Sequence, residues 1–273
     1  MTDFVPVLLA DAAAVEPDGD GRYVAQLVRD YTVLGVPNGG YLQCVMANAA
    51  VAAASDAGAA HLHATAVSTN FMAAPALGPA VLACDVRRVG RSASFVHVSL
   101  TQDDVVLSES LVTVGTLRDS APLRYQSSTP PPLAPVESCI ALPVREEMDY
   151  HHAVELRCDP DTPRWWEGGV SPAAIELWMR MTDGGGPWNP WSVIFALDVM
   201  PPATLALGST GWVPTLQLST YVRRIPASEW LRARQWCVVV ADGLVDERCE
   251  LFDDTGDLVA SASQLAMVRF GQS

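Results

Sequence analysis

PNGGYLQCVMANAAVAAA, residues 37–54, is a stretch without a single charged side chain. Asn38 is a favourable N-cap residue, and Ala, Leu and Met are frequent in the positions that follow, so the sequence predicts a helix from Tyr41 to Ala54. Apolar side chains occur nearly all round this helix, which is typical of a buried helix. The free N–H groups at its glycine-rich start suit either simple capping or the stabilisation of an oxyanion.

The segments around this helix are typical of β-strands. They are rich in Val, Thr and Ser and are separated by Gly, Pro and Asp-Asp turn signals. The sequence therefore predicts an antiparallel sheet built around the helix, with strands at Arg22–Tyr31, Thr65–Phe71, Ala80–Val89, Ser92–Gln102 and Val105–Thr116.

The second half of the chain has the same order of elements. A strand is predicted at 173–182, and Asn189 followed by Pro190 predicts the start of a helix that runs from Trp191 to about Met200. Pro201 and Pro202 help to end that helix. Further strands are predicted at Thr215–Arg224, Leu231–Val240, Leu244–Phe252 and Leu258–Phe270.

A nearly constant offset relates the two halves. Asn38 and Asn189 lie 151 residues apart, and the same offset separates Ser68 from Ser219. An internal duplication explains this spacing. We therefore expect an α+β fold in which two tandem helix-wrapped antiparallel sheets form one continuous sheet, with an N-terminal unit at residues 1–118, a proline-rich connector at 119–145 and a C-terminal unit at 146–273.

Composition excludes several classes of function. The formal net charge is −14 and the sequence pI is about 4.6, which disfavours nucleic acid as a partner. All 17 basic residues are Arg, so chemistry that depends on a lysine, such as Schiff-base formation or the P-loop, is excluded.

Six cysteines are present, but no two of them form a CxxC pair and no Cys/His spacing is typical of a zinc site. We therefore expect no metal, no cofactor and reduced, buried thiols. The N-terminus lacks a signal-peptide pattern, and no apolar run is long enough for a membrane span. These features predict a cytoplasmic protein, and the outer edges of the predicted sheet are compatible with a homo-oligomer.

Three polar residues of the second half are candidates for chemistry. Asp198 lies among apolar residues of the predicted helix, and such a carboxylate needs either a partner or a functional role. Thr215 and Gln264, in two predicted strands, can hydrogen-bond a carboxylate or a water. The alternative from chemistry alone is a solvated Asp at a helix end, a Thr at a strand edge and a satisfied Gln.

An ordered set of motifs resembles that of the double hot-dog acyl-CoA thioesterases, the thioesterase II-like group. None of these motifs is specific alone, but together they span nearly the whole chain apart from the connector. The motifs are Pro37-Asn38-Gly39-Gly40-Tyr41, Val89-Gly90-Arg91-Ser92, Asp198 just before Pro201-Pro202, Trp212-Val213-Pro214-Thr215-Leu216-Gln217-Leu218, and Asp254-Thr255-Gly256-Asp257-Leu258-Val259-Ala260 running on to Gln264.

The resemblance implies an enzyme of lipid metabolism that hydrolyses a fatty or other acyl-CoA thioester with one water, held by Asp198, Thr215 and Gln264. We expect Gly39, Gly40 and Tyr41 to bind the substrate carbonyl, and Arg91, Arg223 and Arg224 are weaker candidates for binding CoA phosphates. Val112 stands opposite Gln264 in the first half, so one active site per chain is expected.

Two alternatives remain open. One is a non-catalytic double hot-dog that binds acyl-CoA or serves as a scaffold. The other, an enoyl-CoA hydratase, is disfavoured because Trp188-Asn189-Pro190-Trp191 lacks the Asp and the His of the Asp-x-Asn-Pro-x-His segment used by that group.

Overall fold

The computed structural model describes residues 6–118, 123–145, 147–162, 172–184 and 188–271. Within these residues the α-helices are α1 (Leu9–Ala12), α2 (Gly39–Asp56) and α3 (Pro190–Ala196). The strands of the first half are β1 (Glu16–Pro17), β2 (Arg22–Leu27), β3 (Thr32–Val33), β4 (Val36–Pro37), β5 (His63–Phe71), β6 (Gly78–Val89), β7 (Ser94–Gln102) and β8 (Val105–Gly115). The later strands are β9 (Ile140–Ala141), β10 (Val154–Cys158), β11 (Ala174–Met181), β12 (Thr215–Val222), β13 (Leu231–Ala241), β14 (Leu244–Phe252) and β15 (Leu258–Met267).

Thirteen of these strands form one antiparallel sheet, in the order β1-β2-β6-β7-β8-β5-β12-β15-β14-β13-β11-β10-β9. The two halves meet at the pair β5–β12, and the first five strands outward from this pair follow the same order on both sides, β5-β8-β7-β6-β2 and β12-β15-β14-β13-β11. Ser68 lies opposite Ser219 in this pair, with 2.8 Å between their Oγ atoms and 151 positions between them in the chain. A pseudo-twofold axis therefore passes between these two serines, as the internal repeat predicts.

Irregularities of the sheet repeat with the same offset. Three register shifts in the first half have counterparts at equivalent places in the second half: Ala64/Ala66 and Thr215/Gln217, Val86/Arg88 and Cys237/Val239, and Leu100/Thr101 and Leu251/Phe252. Because a bulge bends the strand that carries it, bulges at equivalent positions give the two halves the same curvature.

Helix α2 is enclosed by the sheet of its own half. Its Asn38 cap accepts a hydrogen bond from the backbone N–H of Tyr41, and twelve residues of the helix are buried. The helix packs on β5, β6, β7 and β8 as well as on α3, its counterpart in the other half. The predicted buried helix is therefore confirmed, two residues longer at each end.

Helix α3 is shorter than the sequence predicts. It begins, as expected, with a capping box at Asn189 and Pro190 in its first turn, but it ends at Ala196 rather than near Met200. Leu197 and Asp198 form a turn instead. The interpretation of Asp198 as a residue within the helix is therefore wrong, although its N–H still donates to the carbonyl of Phe195 at 3.0 Å.

The segment after β2 is also shorter in strand structure than predicted, because residues 29–31 form a 3₁₀ turn. The described part of the connector, residues 123–145, has no helix or strand before a 3₁₀ turn at Val136–Ser138, and it packs on the second half. Gln126 donates to the carbonyl of Gly256 at 2.9 Å and accepts from the N–H of Leu258 at 2.6 Å. The connector also supplies β9, the outermost strand of the second half.

The sheet ends in two-residue strands on both sides, β1 and β9, so each of these edge strands has few backbone groups for pairing with another chain. The predicted homo-oligomer stays a prediction.

Candidate active site

A cavity of about 700 Å³ opens where the two halves meet. It lies between the start of α2, the turn after α3 and the first residues of β12, and most of its wall is apolar. Representative apolar wall residues are Leu42, Phe71, Met148, Met200, Leu205 and Trp212. A partly open, apolar cavity with a few polar groups is the usual form of a small-molecule site.

Asp198 reaches from the second half to the first turn of α2. Its Oδ2 accepts hydrogen bonds from the backbone N–H of Gly40 at 2.7 Å and from Nδ2 of Asn38 at 3.0 Å. Asn38 Nδ2 also donates to the backbone carbonyl of Asp198 at 3.2 Å. The positive end of the helix dipole faces this carboxylate, and Oδ1 accepts no hydrogen bond within the described part of the chain.

The environment of Asp198 favours its protonated form. Burial raises its pKa from 3.8 to about 7, while the hydrogen bonds from Gly40 and Asn38 lower it and the negative charge of Glu247 raises it. A carboxyl group with a pKa near the ambient pH can both take up and release a proton, which suits a general base.

The close approach of Asp198 explains the two glycines. A Cβ on Gly40 would lie 2.8 Å from Asp198 Cβ and 3.0 Å from the carbonyl oxygen of Phe195. A Cβ on Gly39 would lie 2.9 Å from Asp198 Oδ2 and 3.2 Å from the ring of Phe71. The PNGGY motif therefore leaves room for a carboxylate at the helix start.

Thr215 and Gln264 line the same cavity as Asp198. They belong to the neighbouring strands β12 and β15, and Thr215 Oγ1 donates to Gln264 Oε1 at 3.2 Å. All three residues singled out in the sequence thus border one cavity, and two of them are directly hydrogen-bonded. Of the alternative from chemistry alone, the solvated Asp is wrong, because the Asp198 carboxylate is bound by Gly40 and Asn38, whereas Thr215 does begin its strand and Gln264 is hydrogen-bonded at both ends of its amide.

Gly39, Gly40 and Tyr41, the residues expected to bind the carbonyl, have different environments in the structure. The Gly40 N–H is bound to Asp198, and the Tyr41 N–H is bound to Asn38 Oδ1 at 3.1 Å. The Tyr41 side chain is fully buried and donates to the carbonyl of Ala12 at 2.8 Å. Of these three residues, only Gly39 lines the cavity, and its N–H has no acceptor among the described residues.

The arginines proposed to bind CoA do not line the cavity. Arg224 forms ion pairs with Asp257 and Asp253, and the guanidinium of Arg223 lies 5.6 Å from the ring centre of Tyr221. Arg91 lies in the bend between β6 and β7, outside the residues that line the cavity. Arg145, which the sequence reasoning missed, is the one basic residue among the described residues that line it.

A second missed residue is Glu247, on β14. It is 1% exposed and lies under Gln264, whose Nε2 donates to Glu247 Oε2 at 2.6 Å. Burial raises its pKa, and hydrogen bonds from Gln264 and from the backbone of Ala203 and Thr204 lower it. The sequence contained a signal: strand alternation places Glu247 on the same inward face as Val245 and Cys249, where a carboxylate is unexpected.

The equivalent positions of the first half are apolar. In the strand registers, Gln264 lies opposite Leu218, and Val112 lies opposite Val67, the counterpart of Leu218. Ala64 likewise corresponds to Thr215, and the repeat offset relates Ala47 to Asp198. Asp198, Thr215 and Gln264 therefore have apolar counterparts in the first half.

No group of three or more metal-binding side chains occurs within the residues that the structure describes. Over the same residues, no helix combines the length and the hydrophobicity that crossing a bilayer requires.

Comparison with known proteins gives consistent matches over the chain. Residues 27–117 match the acyl-CoA thioesterase N-terminal domain, and residues 134–268 match the acyl-CoA thioesterase C-terminal domain. An uncharacterized protein of Mycobacterium tuberculosis is 30% identical over 269 residues, covering 90% of each chain.

Solved structures share the architecture. A candidate thioesterase II from Thermobifida fusca is 29% identical, with a TM-score of 0.85 over 96% of this chain and 97% of that one. A protein of unknown function with a hot-dog fold from Alicyclobacillus acidocaldarius is 20% identical, with a TM-score of 0.83 over 97% and 98%. The predicted double hot-dog fold is confirmed.

Proposed function

Since the chain belongs to the acyl-CoA thioesterase family, we propose that it hydrolyses an acyl-CoA thioester to the free acid and CoA, with a water activated by Asp198. The observation that carries this proposal is the position of the Asp198 carboxylate. It is held by the first turn of α2 in the wall of an apolar cavity that Thr215 and Gln264 also line. A base beside an apolar cavity is what hydrolysis of an acyl thioester requires.

The hydrogen bonds of Asp198 give its two carboxylate oxygens different roles. Oδ2 of Asp198 is fixed by Gly40 and Asn38, which leaves Oδ1 to accept a proton from water. The water oxygen attacks the thioester carbonyl carbon, and the C–S bond breaks when the tetrahedral intermediate collapses. CoA leaves as the thiolate, which takes up the proton that Asp198 accepted. No Ser or Cys nucleophile is needed, because a thiolate is a good leaving group.

The carbonyl oxygen needs a hydrogen-bond donor while it carries negative charge. Gly39 is the remaining candidate from PNGGY, because its N–H lies at the start of α2 and is not used by another residue of the described chain. The acyl chain would lie against apolar wall residues such as Leu42 and Met200. Arg145, which lines the cavity and lies 3.9 Å from the Glu147 carboxylate, is our candidate for contacting a phosphate of CoA, whereas Arg91, Arg223 and Arg224 remain weaker candidates.

Release of CoA from a panel of acyl-CoA esters of increasing chain length tests the proposal. Chromatography should be used to follow free CoA, because the six cysteines of the protein would contribute to a thiol-reagent assay. The unaltered protein should release CoA from at least one ester, and Asp198→Asn should lower the rate by about 10²- to 10⁴-fold, the effect of losing a general base. Binding of acyl-CoA without release of CoA would instead support the non-catalytic alternative.

A further inference from the structure

Glu247 is a buried carboxylate that the reaction as proposed does not use. Its Oε2 accepts from Nε2 of Gln264 at 2.6 Å and from Nε2 of Gln235 at 3.0 Å. No basic side chain of the described chain forms an ion pair with it. Its carboxylate also accepts from the backbone of Ala203 and Thr204, so hydrogen bonds alone stabilise the buried charge, and an apolar side chain would avoid the cost of burying it.

The other half of the protein shows which residue the fold accepts at this position. Glu247 lies opposite Gln264 in the pair β14–β15, and Val96 lies opposite Val112 in the equivalent pair β7–β8. Val96 is 1% exposed, as Glu247 is, so the same place in the same fold is filled by an apolar side chain. The carboxylate therefore occurs in the half that carries the candidate site and not in the half that lacks it.

Glu247 determines which way the Gln264 amide faces. A carboxylate only accepts hydrogen bonds when ionised, so it selects the NH₂ end of the amide and repels the carbonyl end. With Nε2 directed to Glu247, Gln264 presents Oε1 to Thr215. Without Glu247, nothing in this contact would distinguish the two orientations of the amide.

The orientation of Gln264 in turn sets the hydrogen bonding of Thr215. A threonine hydroxyl has one proton, and Thr215 donates it to Gln264 Oε1 at 3.2 Å. Any water that binds the Thr215 oxygen must then act as the donor. A water that donates one proton to Thr215 and the other to Asp198 keeps a lone pair for the carbonyl carbon.

We propose that Glu247 is a positioning residue that fixes the donor and acceptor directions along Gln264 and Thr215 and thereby orients the attacking water. The inference rests on the proposed function, because it concerns the same water. It adds a residue that does not touch the substrate but that decides whether the water is presented with a lone pair free to attack.

Three variants test this role. Glu247→Val introduces the residue found at the equivalent place of the first half, so the fold should tolerate it, while Gln264 loses its acceptor. Glu247→Gln keeps an oxygen that can accept from Gln264 but removes the charge. The control Glu250→Gln removes a carboxylate three residues along β14, where the side chain bonds to Ser128 and Arg234.

Steady-state kinetics should separate the variants. We expect Glu247→Val to lower kcat by about 10- to 100-fold with KM within about threefold, the size of effect seen when a supporting hydrogen bond of a reactive group is removed. Glu247→Gln should recover most of kcat, because an acceptor is restored. Glu250→Gln should match the unaltered protein in both constants.

The pH profile reports the charge of Glu247, whereas kcat reports its hydrogen bond to Gln264. The negative charge of Glu247 helps to raise the pKa of Asp198, so both Glu247 variants should move the acidic limb of kcat/KM to lower pH. Cys44, Tyr150 and Cys249 also act electrostatically with Asp198, but burial raises their pKa values and keeps them neutral over this range. Loss of the charge moves this limb whatever the role of Glu247, so kcat tests positioning: a merely structural residue would lower Tm and leave the kcat of the folded protein unchanged.

The outcomes are separable. If the unaltered protein is active and Glu247→Val has an unchanged kcat, or if Glu247→Gln recovers none of the lost kcat, the role of Glu247 is overturned and the proposed function stays intact. Should Glu247→Val fail to fold, Glu247→Met, which keeps the length of the side chain without a charge or an oxygen acceptor, takes its place in the same comparison of kcat and KM. If the unaltered protein released no CoA from any ester, both proposals would fail.

Discussion

The Asp198→Asn substitution should make the protein more stable while it removes activity, and the gain should depend on pH. In the unfolded chain the carboxyl ionises near its ordinary pKa of about 4. In the folded protein, burial holds the pKa at about 7. Between these two values the unfolded state loses a proton that the folded state keeps, so rising pH favours unfolding.

The size of the effect follows from this difference. Each pH unit between about 4 and 7 costs the folded protein about 1.4 kcal/mol, and above about pH 7 the loss is constant. From pH 5 to pH 8 the loss is therefore about 2 to 3 kcal/mol. An asparagine in place of Asp198 can still accept from Gly40 and Asn38 through its carbonyl oxygen, and it does not ionise. The free energy of unfolding of the variant therefore does not fall as the pH rises through this range.

Thermal unfolding at pH 5 and at pH 8 measures this effect. The variant should unfold within a few degrees of the unaltered protein at pH 5, and its Tm advantage should grow by about 5–10 °C at pH 8, because about 1 kcal/mol shifts the Tm of a chain of this size by about 2–4 °C. Asp246→Asn, which removes an exposed carboxylate from β14, should show no comparable growth. A Tm difference for Asp198→Asn that stays constant from pH 5 to pH 8 would refute the argument from burial.

Three further results are expected. The acidic limb of kcat/KM should rise about tenfold per pH unit and level off near pH 7, and a limb that levels off near pH 4 would exclude Asp198 as the base. Gly40→Ala should lower kcat by about 10²-fold and Tm measurably, because the new methyl group displaces Asp198, whereas Gly271→Ala, with no atom within 4 Å, should change neither. Arg145→Ala should raise KM for acyl-CoA by about 3- to 10-fold with kcat unchanged. The control Arg224→Ala, which loses ion pairs away from the cavity, should lower Tm instead. An unchanged KM for Arg145→Ala would remove Arg145 from the binding site.

Much of the fold could be predicted from the sequence because its signals are local. The cap at Asn38 and the unbroken apolar run after it define α2, and strand propensities with turn residues define the sheet. The repeat offset then indicates how the halves pair. Ser68 and Ser219, which were matched by spacing alone, lie opposite each other at the centre of the sheet.

The prediction was wrong where a distant contact decides the local structure. The sequence predicts that α3 ends near Met200, because Pro201 is the first residue that a helix cannot accommodate easily. The helix ends at Ala196, and Asp198 in the following turn bonds to Asn38 and Gly40, about 160 positions earlier in the chain. The same contact occupies the Gly40 N–H, which could not be foreseen from the helix start alone.

The pairing of two halves gives the site a property that neither half has alone. The first half supplies a helix start with two glycines and an asparagine cap, and the second half supplies the carboxylate that this helix start holds. In the reciprocal place, α3 begins with Pro190 and Trp191 where α2 has Gly39 and Gly40, and the residue equivalent to Asp198 is Ala47. One half thus has the glycines without the acid, and the other has the acid without the glycines. The contact between a carboxylate and a glycine-rich helix start therefore forms at one of the two related places between the halves, and the apolar residue Ala47 occupies the place of the acid at the other.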